Sequence, residues 1–355
     1  MAIQKNAQIS NPWALHENVS DYEVYFSLES SYCKNHDWSL WILAIDGVDV
    51  ARVGTSHPKN NSKLTFLGVG YYETLPGVTT EDLAILFAKV EQFAHSRNMG
   101  EIRLPMQGGF FGSYRARIET HTEPFFGEPQ TLDRYVSEWQ SLGYQINKKW
   151  TNFEMDLNKN KVRAKSVLNI IYKAKTIPDL KFDQIGQNDF RQDLIRLLNL
   201  FNKSYKDFDE YSEIDPEDFV SMYSQYEFIL KNYFCKIVTY RGEDIGFCLA
   251  YPDILKPLLF AQKYKLPSIL KKISVLVYLK FFKLRYFYPY QGKTPDSPRI
   301  KGFPMVLLAA VTESIPNYAT TISGHYIAEG NPVLTMLTDE TSKPKNKFAI
   351  FKKTL

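Results

Sequence analysis

The side chains able to do chemistry are scattered, and their spacing argues against several reaction types. The six histidines are His16, His36, His57, His95, His121 and His325. No two fall in an HxH or HExxH pattern, so no metal centre is expected. Cys33, Cys235 and Cys248 lack the spacing of a metal-binding motif. No GxSxG occurs, so nothing supports a serine hydrolase of the nucleophile-elbow kind. The stretch that draws notice is QGGFFGSYRARIETHTEPFFGEP, directly after Met106. It is long and rich in Gly, Phe and Arg, and it follows a strand. That suits a substrate-binding loop, with Phe110, Phe111, Tyr114, Arg115 and His121 as its candidate residues. A surface loop whose aromatics pack locally is the competing reading. Arg103, Arg115 and Arg117 could hold a carboxylate or phosphate, and a solvated role serves them equally well.

These residues need a scaffold, and the periodicity supplies one. KLTFLGVGYYETL, from Lys63 to Leu75, reads as a strand buried on at least one face. The turn PGVTTED follows, with Thr79 or Thr80 as helix cap and Glu81 and Asp82 in the first turn. Leu83, Leu86, Phe87, Val90, Phe93 and Ala94 then recur at helical spacing. EIRLPM is a short strand. TLDRYVSEWQSLGY is a second helix, capped by Thr131 and stopped at Gly143. NKKWTNFEMDL is another strand. Strand, helix, strand, helix, strand is a crossover unit of an α/β (α+β) fold with a mixed central sheet flanked by helices. Before it, LWILAIDGVDVARVGTS reads as a hairpin around Gly47. FCKIVTY and IGFCLAY, joined by a turn at Arg241 to Asp244, repeat that theme and argue for a duplication. FRQDLIRLLNLFNKSYKD is an amphipathic helix, and Asp215 caps another that starts at Pro216. FPMVLLAAVTESI, PVLTMLTDE and KFAIFKK are expected to be strands.

The chain has 355 residues, of which 44% are hydrophobic and 23% charged, with a net charge of +4. That length exceeds one ordinary core, so two domains are expected: 1–160, then a basic, partly helical linker over 161–178, then 179–355. The charge is too small to imply a nucleic-acid partner. Three widely spaced cysteines, with no apolar leader and no long uncharged apolar run, point to a cytoplasmic protein. Residues 256–293 mingle apolar side chains with lysines. Contact with an anionic membrane surface and a lid over a phosphate-bearing ligand are two readings. The adopted one is an inserted helix whose apolar face is core and whose lysines are solvated.

WQSLGY at Trp139–Tyr144 followed by FEMDL at Phe153–Leu157 resembles the closing signature of GNAT-superfamily acyltransferases. YYE, Leu-Pro-Met and Leu-Gly-Tyr, in that order, resemble the bacterial tandem GNAT proteins, which fuse two such modules. The resemblance covers about Ile42 to Leu157 best, and it implies an N-acyltransferase. Such an enzyme moves an acyl group from acetyl-CoA or another acyl-CoA to a small-molecule amine. It also implies Glu73 as the base, with the 108–128 loop and Arg103 shaping the acceptor site. Trp139 stands where the family has its acid tyrosine, and an indole N–H is only a hydrogen-bond donor. Tyr135, one helical turn earlier, is the substitute. Plain structural roles, a strand-end carboxylate and a packed tyrosine, compete for both. The acyl-CoA position after the central strand falls on Leu75, Gly77, Val78 and Thr79. The family's phosphate cradle, Gln or Arg-x-x-Gly-x-Gly or Ala, is departed from. TLPGVTTED keeps only Gly77, and TESIPNYATT, taken as the second-half equivalent, has no glycine before Gly324. These losses favour the competing hypothesis, a catalytically silent GNAT-fold module that binds a ligand or protein partner.

Overall fold

A computed structural model describes Leu15 and residues 31–59, 64–119, 123–156, 169–224, 226–230, 235–282, 284–294, 302–314, 319–331 and 342–355. The strand expected at PVLTMLTDE and His121 lie outside these residues. One twelve-stranded sheet runs through the molecule. β1 (His36–Ile45) and β2 (Val48–Pro58) are the first hairpin, turning on Asp46 and Gly47 at positive φ. β3 (Phe66–Thr74) is buried along its whole length, its polar end residues Glu73 and Thr74 included. α1 (Thr80–Ser96) connects it to β4 (Glu101–Leu104), which lies parallel to β3. Three short strands follow: β5 (Met106–Gln107), β6 (Ser113–Tyr114) and β7 (Ala116–Glu119). α2 (Asp133–Ser141) and β8 (Gln145–Asp156) come next.

A helix over 169–175 leads to β9 (Leu180–Gln184), α3 (Phe190–Tyr205) and α4 (Pro216–Ser224). β10 (Lys236–Tyr240) and β11 (Glu243–Pro252) are the second hairpin. α5 (Leu255–Lys263), α6 (Ser268–Phe281) and β12 (Leu284–Lys293) occupy the basic segment. α7 (Phe303–Ser314), β13 (Ala319–Ala328) and β14 (Ser342–Thr354) complete the chain.

Read inward from β1 at one end and from β10, next to the edge strand β9, at the other, the sheet repeats itself. β1-β2-β3-β4-β14 and β10-β11-β12-β13-β8 each run antiparallel, antiparallel, parallel, antiparallel. The duplication seen in the two hairpins therefore extends to the whole strand order. The fifth strand of each set comes from the other part of the chain. β14 lies between β4 and β8, and β8 pairs with β13.

Three local expectations are corrected. FPMVLLAAVTESI is α7, a helix rather than a strand. A short, wholly apolar run has no polar face to reveal its period, so a buried helix and a buried strand look alike. Phe303, Val306, Leu307 and Ala310 are all buried in one cluster with the sheet residues Cys248, Tyr286 and Ile322. The cap of α2 is Leu132 without a side-chain bond, because the Thr131 hydroxyl instead accepts the Arg117 backbone N–H at 3.1 Å. The last ten residues of the segment read as an insertion are β12, a central strand. Its helix α6 buries only Val275 and Leu279.

Candidate active site

Each half of the sheet contains a fork. β3 pairs with β4 only from Phe66 to Gly68 and then continues to Thr74 paired with β2 alone. Just beyond the split, Tyr71 and Tyr72 of β3 together face Val53 of β2, a β-bulge with Tyr71 at φ +54°. β12 pairs with β13 as far as Tyr288, and Tyr288 and Pro289 face Ala250 in the same two-against-one manner. Counted from the bulge, Glu73 in the first fork corresponds to Tyr290 in the second.

The first fork brings together the two residues singled out for proton transfer. The Tyr135 hydroxyl, from the first turn of α2, donates to the Glu73 carboxylate, and both side chains are buried. Burial, and then the Glu73 charge, push the Tyr135 phenol well above its usual range. Beside them Tyr72 donates to Glu138 at 2.9 Å and Thr74 donates to it at 3.0 Å. Burial raises the Glu138 carboxyl, while the Tyr72 and Thr74 hydroxyls and Arg134 oppose the rise. The rings of Tyr72, Tyr135 and Trp139 pack 5.1 to 6.3 Å apart, and Trp139 rests on Phe351 of β14. Trp139 is thus part of the core. The geometry permits a proton to pass between Tyr135 and Glu73 inside a largely aromatic enclosure. At the mouth of the fork, a Cβ on Gly70 would fall 2.5 Å from Gln107 Cα, so β5 seals that position against backbone.

Leu75, Gly77, Val78 and Thr79 form the turn into α1. Thr79 and Asp82 close a capping box: the Asp82 N–H reaches the Thr79 hydroxyl oxygen at 3.1 Å, and the Thr79 N–H reaches Asp82 at 3.2 Å. Those donors are satisfied internally, and Glu81 and Asp82 add negative charge.

The aromatic loop packs across the two parts of the chain. Phe110 and Tyr114 are buried in one cluster with Phe201, Tyr211 and Phe219 from the α3–α4 region, and Phe111 packs against the same cluster. Arg115 is buried between the rings of Tyr114, Tyr326 and Trp150, at 3.8, 4.0 and 4.5 Å. Arg103 pairs with Glu101 at 2.5 Å and with the fully buried Glu210 carboxylate at 2.8 Å, over the Phe66 ring. Burial lowers the Arg117 guanidinium, against the pull of Glu128 and Glu154. Sequence reasoning missed the acidic partners Glu210, Glu128 and Asp253. Asp253 accepts the Phe126 and Leu255 N–H groups at 2.9 and 3.1 Å and faces Arg285. No local signal marks them, because their partners lie up to 127 residues away.

Sequence reasoning also misplaced the loop after the second central strand. With β12 ending at Lys293 and α7 starting at Phe303, the sequence that stands where TLPGVTTED does is TPDSPRIKG, 294–302, of which 295–301 lie outside the described residues, rather than TESIPNYATT. It contains Arg299-Ile300-Lys301-Gly302. Gly302 sits at φ +75° directly before α7, whose first turn has no acidic residue.

No protein-family model matches the chain, and no curated protein matches it. Solved structures do. A conserved protein of unknown function from Enterococcus faecalis V583, described as a probable N-acyltransferase, superposes with a TM-score of 0.51 at 8% identity, over 99% of this chain and 69% of that one. A GCN5-related glucosamine N-acetyltransferase region of a fungal multi-domain β-N-acetylglucosaminidase gives 0.54 at 10% identity, over 99% of this chain and 36% of that one. A tandem GNAT protein from the clavulanic acid biosynthesis pathway gives 0.48 at 10% identity, over 90% and 83%. Among the described residues no helix is long and apolar enough to cross a membrane. With two forked parallel pairs in one mixed sheet, and with the two matches above 0.5, the chain has the fold of the GNAT N-acetyltransferases.

Proposed function

We propose that the chain transfers an acyl group from acetyl-CoA or a longer acyl-CoA to the amine of a small molecule, with the donor held at the fork between β12 and β13. The observation that carries this reading is the start of α7. It follows a forked central strand, keeps Gly302 at positive φ, and has no acidic residue in its first turn. The preceding Arg299-x-x-Gly302 retains the first part of the family's phosphate cradle, with Pro304 in place of the last Gly or Ala. N–H groups at a helix start suit a pyrophosphate, and Arg299 and Lys301 add positive charge. Acyl-CoA supplies the thioester carbonyl that the amine attacks. The capping box and acidic pair at α1 make the first fork a poor place for the same anion.

A second reading keeps the reaction in the first fork, with Glu73 taking the proton of the amine and Tyr135 protonating the leaving thiolate. The hydrogen bond between those two side chains favours it. Thermal shift with millimolar acyl-CoA, followed by turnover, separates the two. A ligand at 100 times its Kd stabilises by about 2.7 kcal/mol. On the first reading Gly302→Asp abolishes the shift, and Glu73→Gln leaves turnover within about three-fold in protein that still folds. On the second, Glu73→Gln abolishes turnover and Gly302→Asp leaves the shift intact. No shift in the wild-type chain removes both and leaves a silent GNAT-fold binding module.

A further inference from the structure

The hairpin of α5 and α6 has an outer face that a water-facing helix should not have. Ile269, Leu270, Ile273, Leu276, Val277 and Phe281 are all exposed, with Ile269 at 73% and Phe281 at 70%. At 3.6 residues per turn they share one side of α6, about 140° wide, opposite the buried Val275 and Leu279. The helix is therefore apolar on both sides. Phe260 and Tyr264, at the end of α5, extend the patch with rings 4.7 Å apart, and Phe282 continues it beyond α6. Within the segment the charge has one sign, and the acids that meet it, Glu123 and Asp253, pair with Lys256 and Arg285. From Lys256 to Lys293 the sequence has eight lysines, one arginine and no aspartate or glutamate. Lys271 and Lys272 flank the apolar side of α6, Lys280 lies within it, and Lys263 and Lys265 border the α5 end; all five are exposed.

We propose that this hairpin seats on the surface of an anionic lipid bilayer, its apolar side in the headgroup and acyl boundary and its lysines on lipid phosphates. Exposed apolar patches rimmed by polar groups mark interaction sites. An apolar face edged by lysines is the composition of helices that lie in a membrane interface. Helices of 14 and 9 residues are too short to cross a bilayer, so the contact is one of lying on it. A second copy of the chain is a worse occupant. Self-complementary pairing would set Lys271, Lys272 and Lys280 against their own copies with no acid within the segment to offset them.

Flotation of the full-length protein with phosphatidylcholine vesicles, with and without 30% phosphatidylglycerol, tests this. The protein should float with the anionic vesicles at low salt, stay behind with the neutral ones, and be released by 0.5 M salt (a level well beyond Debye screening at about 8 Å). Ile273→Glu with Phe281→Glu should abolish flotation without lowering the melting temperature, since both side chains face water. Lys271→Ala with Lys272→Ala should weaken partitioning about 30-fold, at about 1 kcal/mol per lysine. Failure to float with anionic vesicles at low salt overturns the proposal. Flotation that survives the double glutamate variant overturns it too. So does a wild-type dimer, seen by light scattering, that these glutamates dissociate.

Discussion

Tyr135 and Glu73 show how one hydrogen bond can serve packing or chemistry. Tyr135→Phe removes a donor from a buried carboxylate and should cost about 1–3 kcal/mol in urea unfolding if the bond is structural. A loss under 0.5 kcal/mol together with abolished turnover would place the pair in the reaction instead. His57, on β2, gives a residue-level pH dependence. Burial holds its imidazole below the usual 6.5, Asp37 opposes this, and Arg97 adds to it. A lowered pKa means that the folded state takes up the proton less readily than the unfolded chain. The stabilising contribution is thus complete above pH 6.5 and is lost as pH falls below it. In urea titrations from pH 7.5 to 5.5, the gap between wild type and His57→Gln should therefore narrow.

Among the elements, α1 is the one whose boundaries were most legible. Thr79, the acidic pair and the apolar spacing all agree, and the observed capping box matches them. Thr79→Ala should cost about 1 kcal/mol, read as a lower urea midpoint at unchanged m-value. The aromatic loop shows the opposite case. Its length and Phe content made it conspicuous, yet composition alone does not say what the rings touch. They pack on α3 and α4. Phe110→Ala should cost about 3–5 kcal/mol in the same assay, far more than the loss of a solvent-lined cleft residue. The basic segment divides similarly. Its lysines and apolar residues were evident, while the fact that α6 buries Val275 and Leu279, with Tyr278 packed beside them, emerges from packing.

At the scale of the molecule, the exchange of β8 and β14 ties the two ends of the chain together. β14 pairs Phe351 with Leu104 and Phe348 with Trp150. A chain ending at residue 341 would leave β4 and β8 without the strand between them, and Ala349 and Phe351 absent from the core. It should lose cooperative unfolding in circular dichroism, as should residues 1–160 expressed alone. A truncated chain that unfolds cooperatively with the wild-type m-value would contradict the shared sheet. Such long-range pairing also makes folding slow, because loop closure precedes most of the gain.

Periodicity, caps and turn residues act within a few positions. They carried the α/β class, both hairpins, α1, the two-fold repeat and the forked strand bearing Glu73. The type of α7 was hidden because a wholly buried run shows no polar side to set its period, and that one ambiguity moved the segment between the second central strand and its helix to the wrong stretch. Strand order, the exchange of β8 with β14, and the pairing of Arg103 with Glu210 join residues up to some 250 positions apart. Contacts over that distance arise only when the chain closes on itself, so no window of sequence contains them.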